Sequence, residues 1–164
     1  MPLLPSFFHL VFCRKHSRYG MPAKIDDIVA EFEGLEPRER LELLLEFAEK
    51  LAPLPERYKA ERDAGMHRIV ECQTPTFVWV ELIDGRVQIY ADAAPEAPTV
   101  KGFVSMLVDA FNGATPEEVA AAPDDLLKRT GLLETLGMVR MRGLSAVQHY
   151  IRQLVRKAAE MNKA

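Results

Sequence analysis

The dipeptide Asp84-Gly85, set between two runs of strand-forming residues, constrains this chain more than any other feature. On one side lies Phe77-Val78-Trp79-Val80-Glu81-Leu82-Ile83, rich in aromatic and β-branched residues; on the other, Val87-Gln88-Ile89-Tyr90-Ala91-Asp92 alternates apolar with polar. Asp-Gly accepts the positive φ angles of a two-residue turn, so the two runs are read as an antiparallel hairpin. A further short strand, His67 to Glu71, is expected before Pro75 to complete a three-stranded sheet. Helical periodicity surrounds this block on both sides. Ile25, Ile28, Val29 and Phe32 fall on one helix face that Gly34 stops. Leu41, Leu44, Leu45, Ala48 and Leu51 stripe a second helix opened by Pro37, and a short helical turn is read from Arg57 to Arg62, closed by Gly65. After the hairpin come a helix from Thr99 to Asn112, a capping-box start at Thr115-Pro116-Glu117-Glu118, and further turns from Pro123 to Leu136. A long final helix is striped by Leu144, Val147, Ile151, Leu154, Val155 and Ala158, with Gln148, Arg152 and Lys157 on its other face. Strands that are contiguous rather than interleaved with helices mean an α+β fold, a small three-stranded antiparallel sheet packed against several helices.

Composition narrows the function classes. The 164 residues are 48% hydrophobic and carry a net charge of −3, so no global basic field favours nucleic acid or an anionic membrane. The first twenty residues contain three cations and no Asp or Glu, which leaves residues 21–164 more acidic still. That segment places its charges after its apolar cluster, the reverse of a secretory signal. It is read as an extension, disordered or an artefact of the start site, ahead of a single domain over residues 21–164. No apolar run approaches the roughly 18–20 residues that span a bilayer. The expectation is a cytoplasmic protein with neither membrane nor nucleic acid as partner.

Chemistry-bearing motifs are few. There is no G-x-S-x-G, phosphate-cradling glycine loop or H-E-x-x-H, and two cysteines without a Cys-x-x-Cys support neither a zinc site nor a dithiol, so no metal and no cofactor are expected. His67 and His149 stand alone and read as ordinary surface or core histidines, Cys13 as an incidental thiol, and Trp79 with Phe77 as sheet core. Cys72 differs, because Glu71, Gln73 and Thr74 surround it in a polar interval between strands. From the residues alone, two readings stay open: a reactive loop thiol, or a partly buried structural cysteine.

Glu71-Cys72-Gln73-Thr74-Pro75 resembles the Cys-Gln-Ser/Thr loop of SufE-type sulfur acceptors, partners of cysteine desulfurases in iron–sulfur cluster assembly. Val100-Lys101-Gly102-Phe103 is similar to that family's Val-Lys-Gly-Leu/Phe helix start, and Arg140-Met141-Arg142-Gly143-Leu144 to its Arg-x-x-Gly-Leu segment. The likeness extends from about Ile25 to Ala158. It implies that the Cys72 thiolate takes persulfide sulfur from a desulfurase and stimulates it, with Gln73, Thr74, Asp92 and Arg140 supporting the loop and the thiolate. A scaffold or another sulfur-acceptor protein is implied downstream. One departure is Glu71, where many members carry Gly. Solvent exposure is the plain reading of Lys101, Arg140 and Arg142. Two other functions compete: a docking module that regulates a desulfurase or a rhodanese-like sulfurtransferase allosterically, and an independent thiol enzyme, for which Glu71 is the local base.

Overall fold

A computed structural model describes residues 23–163; the twenty-residue extension lies outside the described residues. The Asp84-Gly85 turn forms as the sequence requires, both residues at positive φ (51° and 73°), and it joins β1 (Thr76–Ile83) to β2 (Arg86–Ala93). The strands pair antiparallel in a register that sets Val78 opposite Ala91 and Trp79 opposite Tyr90. Alternation therefore sorts the hairpin into two faces. Thr76, Val78, Val80 and Leu82 join Val87, Ile89, Ala91 and Ala93 on the core face, against α4 (Pro98–Phe111) and α8 (Met138–Lys163). Phe77, Trp79 and Tyr90 take the outer face with Leu54 and with Tyr58 of α3 (Glu56–Asp63), a smaller apolar cluster in which Trp79, Leu54 and Tyr58 are buried. Trp79 stacks on Tyr58 at 5.1 Å and donates its indole N–H to Glu61 at 2.7 Å. Tyr58 hydrogen-bonds Glu81, and its phenol is pushed up to about 12, first by burial and then by that bond.

The α+β class holds, but the sheet has two strands, not three. Between His67 and Glu71 only the isolated bridge Arg68 to Phe77 forms, supported by Ile69 N–H to the Thr76 carbonyl at 2.9 Å and Val78 N–H to the His67 carbonyl at 3.2 Å. The ladder stops because the chain turns away at both ends of this bridge. His67 sits at φ 60°, and the Cys72 N–H closes a turn onto the Ile69 carbonyl at 3.3 Å.

The helices follow their apolar spacing. In α1 (Ala23–Phe32), Ile25, Ile28, Val29 and Phe32 are all buried, and Phe32 stacks on Phe47 of α2 (Pro37–Lys50) at 6.2 Å between centroids. The buried face of α2 is Leu44, Phe47 and Ala48; Leu41, Leu45 and Leu51 sit half-buried at its edges, so the expected stripe is displaced toward Phe47. α4 runs through the centre, with Gly102, Phe103, Val104, Ser105, Met106 and Leu107 consecutively buried. Thr115 and Glu118 close the expected capping box at the start of α5 (Pro116–Ala121). α6 (Leu126–Arg129) and α7 (Leu132–Leu136) are single turns that lead into α8. Gln148 lies in the core rather than on the polar face of α8, because its amide N–H reaches the Pro123 carbonyl at 2.7 Å. No described helix is long and apolar enough to cross a membrane.

Candidate functional site

Cys72 ends the turn that follows Ile69, in a segment whose backbone alternates its exposure: Val70, Glu71, Gln73 and Pro75 face solvent, while Ile69 and Cys72 point inward. Inward here means 4% exposed, on the wall of a cleft of about 700 Å³. Three segments far apart in sequence line that cleft. The loop contributes Glu71, Cys72, Gln73 and Thr74; the approach and first turn of α4 contribute Glu96, Pro98, Thr99 and Val100; the first two turns of α8 contribute Met138, Val139, Arg140, Arg142, Gly143 and Leu144. α8 passes very near the thiol, since a Cβ on Gly143 would lie 3.8 Å from both Cα and Sγ of Cys72.

The first turns of α4 and α8, where a helix leaves N–H groups without intrahelical partners, thus both line the cleft that Cys72 borders. Arg140 and Arg142 add positive charge there and, among the described residues, make no hydrogen bond or ion pair. Glu71 and Glu96 set negative charge on the same rim. Burial, with a smaller contribution from the Glu71 charge, raises the Tyr150 phenol above its ordinary value two turns farther along α8. The arrangement suits a thiolate or another small sulfur anion held out of bulk water but reachable from one side.

Not every residue implicated from sequence comes to this cleft. Cys72, Gln73, Thr74 and Arg140 do; Thr74 takes part through its main-chain carbonyl, which accepts from the Thr76 hydroxyl at 3.1 Å. Asp92 is not among the lining residues: paired with Phe77, it belongs to the outer face of the hairpin, and its carboxylate is bound to Arg62 at 3.1 Å. Lys101 is half-buried and outside the lining, whereas Gly102 in the same motif packs against α2. Sequence reasoning missed Thr76, fully buried, whose Oγ1 lies 3.6 Å from the Cys72 sulfur. The available signal was a hydroxyl heading an otherwise apolar core-facing set, Thr76, Val78, Val80 and Leu82. It also missed Met138, Val139 and Val70, exposed by 69%, 76% and 84% around the thiol segment.

The fold and site define an α+β domain that sets the thiol of Cys72 on a cleft wall beside the first turns of two helices, with no group of three or more metal-ligating side chains among the described residues. The family model for SufE, an Fe–S metabolism associated domain, matches residues 26–155, and the chain belongs to that family. It is 33% identical over 140 residues to an uncharacterised SufE-like protein of Mycobacterium tuberculosis, covering 85% of this chain and 96% of the other. An uncharacterised SufE-like protein of Synechocystis is 31% identical over 124 residues, 75% of this chain and 74% of its own. The solution structure of a hypothetical protein from Thermus thermophilus is similar with a TM-score of 0.74 at 34% identity, covering 85% of this chain and 98% of that one.

Proposed function

We propose that this protein is a sulfur acceptor that takes persulfide sulfur from a cysteine desulfurase onto Cys72, stimulates that enzyme, and serves iron–sulfur cluster assembly. The observation that carries this reading is the convergence of three short, distant segments on one cleft with Cys72 in its wall. The Cys72 thiolate attacks the terminal sulfur of the persulfide on the enzyme's cysteine. A bond forms between that sulfur and Sγ, the enzyme's S–S bond breaks, and the enzyme's cysteine leaves as a thiolate, so the sulfur moves with no net oxidation or reduction. The helix N-termini with Arg140 and Arg142 favour the anionic sulfur on either side of this exchange. Burial of Sγ keeps the product persulfide from oxidants until a scaffold or another acceptor protein removes it. The exposed apolar side chains Val70, Met138 and Val139 give the donor a surface on which to dock. The reducing cytoplasm, where a lone thiol persists, is the compartment this chemistry suits.

The low exposure of Cys72 favours a second reading, in which the cysteine is packing and the protein is a docking module that regulates a desulfurase or rhodanese-like enzyme allosterically. Mass spectrometry after incubation with a desulfurase and cysteine separates the two. A carrier gains sulfur on Cys72, Cys72→Ser still binds but neither accepts sulfur nor stimulates turnover, and Arg140→Ala forms persulfide with weaker stimulation. Full stimulation by Cys72→Ser would leave only the docking module.

A further inference from the structure

Thr76 heads β1 on its core face, where Val78, Val80 and Leu82 follow it at every second position, and it is wholly buried. A Val of the same shape would satisfy the packing there, so a hydroxyl needs a reason, because a buried polar group without partners is costly. Its two partners both belong to the cysteine loop: the Thr74 carbonyl at 3.1 Å and the Cys72 sulfur at 3.6 Å, the latter a distance at which sulfur still takes part in hydrogen bonding. A hydroxyl has one proton to give and lone pairs with which to accept, and it rotates freely to suit.

We propose that Thr76 is the positioning residue for the Cys72 sulfur, a buried rotor that accepts from the thiol and donates to the anion. With Cys72 protonated, the S–H donates a hydrogen bond to Thr76 Oγ1, whose own O–H donates to the Thr74 carbonyl. Once the proton leaves, the hydroxyl turns and donates to Sγ instead. The second state is the stronger because its acceptor is charged. The same donation holds Sγ in a fixed direction within the cleft, ready for exchange. This inference rests on reading Cys72 as the sulfur-carrying group, but its test needs no desulfurase and so succeeds or fails separately.

The measurement is the rate of Cys72 alkylation by iodoacetamide against pH, in the full chain with Cys13→Ser so that one thiol reports. The charged and titratable groups near the sulfur, Glu71 of the loop, Glu96 before α4, and Arg140, Arg142 and Tyr150 of α8, are the same in every variant, so a difference isolates the hydroxyl. Thr76→Val should move the midpoint of the profile upward by about one pH unit, roughly tenfold less thiolate at a fixed pH below it. Thr76→Ser, which keeps the hydroxyl, should stay within about 0.3 unit of the parent. Thr76→Ala, which removes the hydroxyl without asking the strand to hold a new methyl, should follow Val. Coincidence of the Val or Ala profile with the parent would overturn the proposal, as would a Ser profile displaced as far as Val, which would assign the effect to packing.

Discussion

Gly102 lets the backbone of α4 lie against that of α2 at Leu44, and replacing it by Ala sets two effects of opposite sign against each other. Gly102 lies inside a helix, where Ala is intrinsically better by about 1 kcal/mol. Its Cβ, however, would lie 2.1 Å from the Leu44 carbonyl oxygen and 3.0 Å from the carbonyl carbon. Ordinary contact needs about 3.5 Å, so the oxygen must retreat by more than about 1 Å. Leu44 is itself wholly buried within α2, and a main-chain carbonyl in a helix cannot swing aside as a long side chain can. The two helices must part instead, loosening the buried packing between α2 and α4. Overpacking costs about 1–3 kcal/mol, and rigid backbone puts this site at or above the top of that range. A net loss of about 2 kcal/mol remains after the propensity gain. For a domain of this size that lowers Tm by about 4–8 °C. Thermal and urea unfolding read through the fluorescence of Trp79, the chain's one tryptophan and a buried one, measure it directly. A variant that melts at or above the parent temperature would refute the close approach of α2 and α4.

Two further outcomes are expected. Leu44→Ala should cost about 2–5 kcal/mol in urea unfolding, half-buried Leu45→Ala distinctly less, and solvent-facing Glu46→Ala no more than about 0.5 kcal/mol; equal losses at all three would mean the helix phase is wrong. Because the Tyr58 phenol is raised in the fold from 10.0 to about 12, the neutral form is the one the fold favours, so its contribution is complete below pH 10 and lost as pH rises toward 12. A spectrophotometric phenolate titration should show a step near pH 12 that Tyr58→Phe lacks, and that substitution should flatten the alkaline fall in stability.

Where local spacing decides a structure, the sequence is enough. The positive φ angles at Asp84 and Gly85, the Ile25 to Phe32 face of α1 and the Thr115 box of α5 each depend on residues within a turn or two of one another. The departures are places where a tertiary partner overrides the pattern. Gln148 reads as polar surface until the Pro123 carbonyl arrives from 25 residues away to accept from its amide N–H. Phe47 enters the core because Phe32 of the preceding helix stacks on it, and the stripe turns toward that ring. His67 to Glu71 carries strand-like residues, yet a strand needs an uninterrupted partner edge, and the turn onto Ile69 removes it after one bridge.

The site divides along the same line. A cysteine in a polar interval is visible in the sequence; that it faces inward is not, because the facing direction is set by α8, which begins some 65 residues later. The two motif glycines do different work that short patterns cannot distinguish. Gly102 lets α4 lie against the Leu44 carbonyl, which fixes where the first turn of α4 ends up, whereas Gly143 leaves the α8 backbone bare where it crosses Cys72. Asp92 teaches the opposite lesson, since its position was available from parity. Once the Asp84-Gly85 turn fixes the register, Asp92 pairs with Phe77 and must share the outer face with Tyr90, while Thr76, one residue earlier on β1, points to the side on which Cys72 lies. The hairpin therefore does more than fill the core: its alternation chooses which of two neighbouring polar side chains, Asp92 or Thr76, can touch the sulfur, and it chooses the hydroxyl.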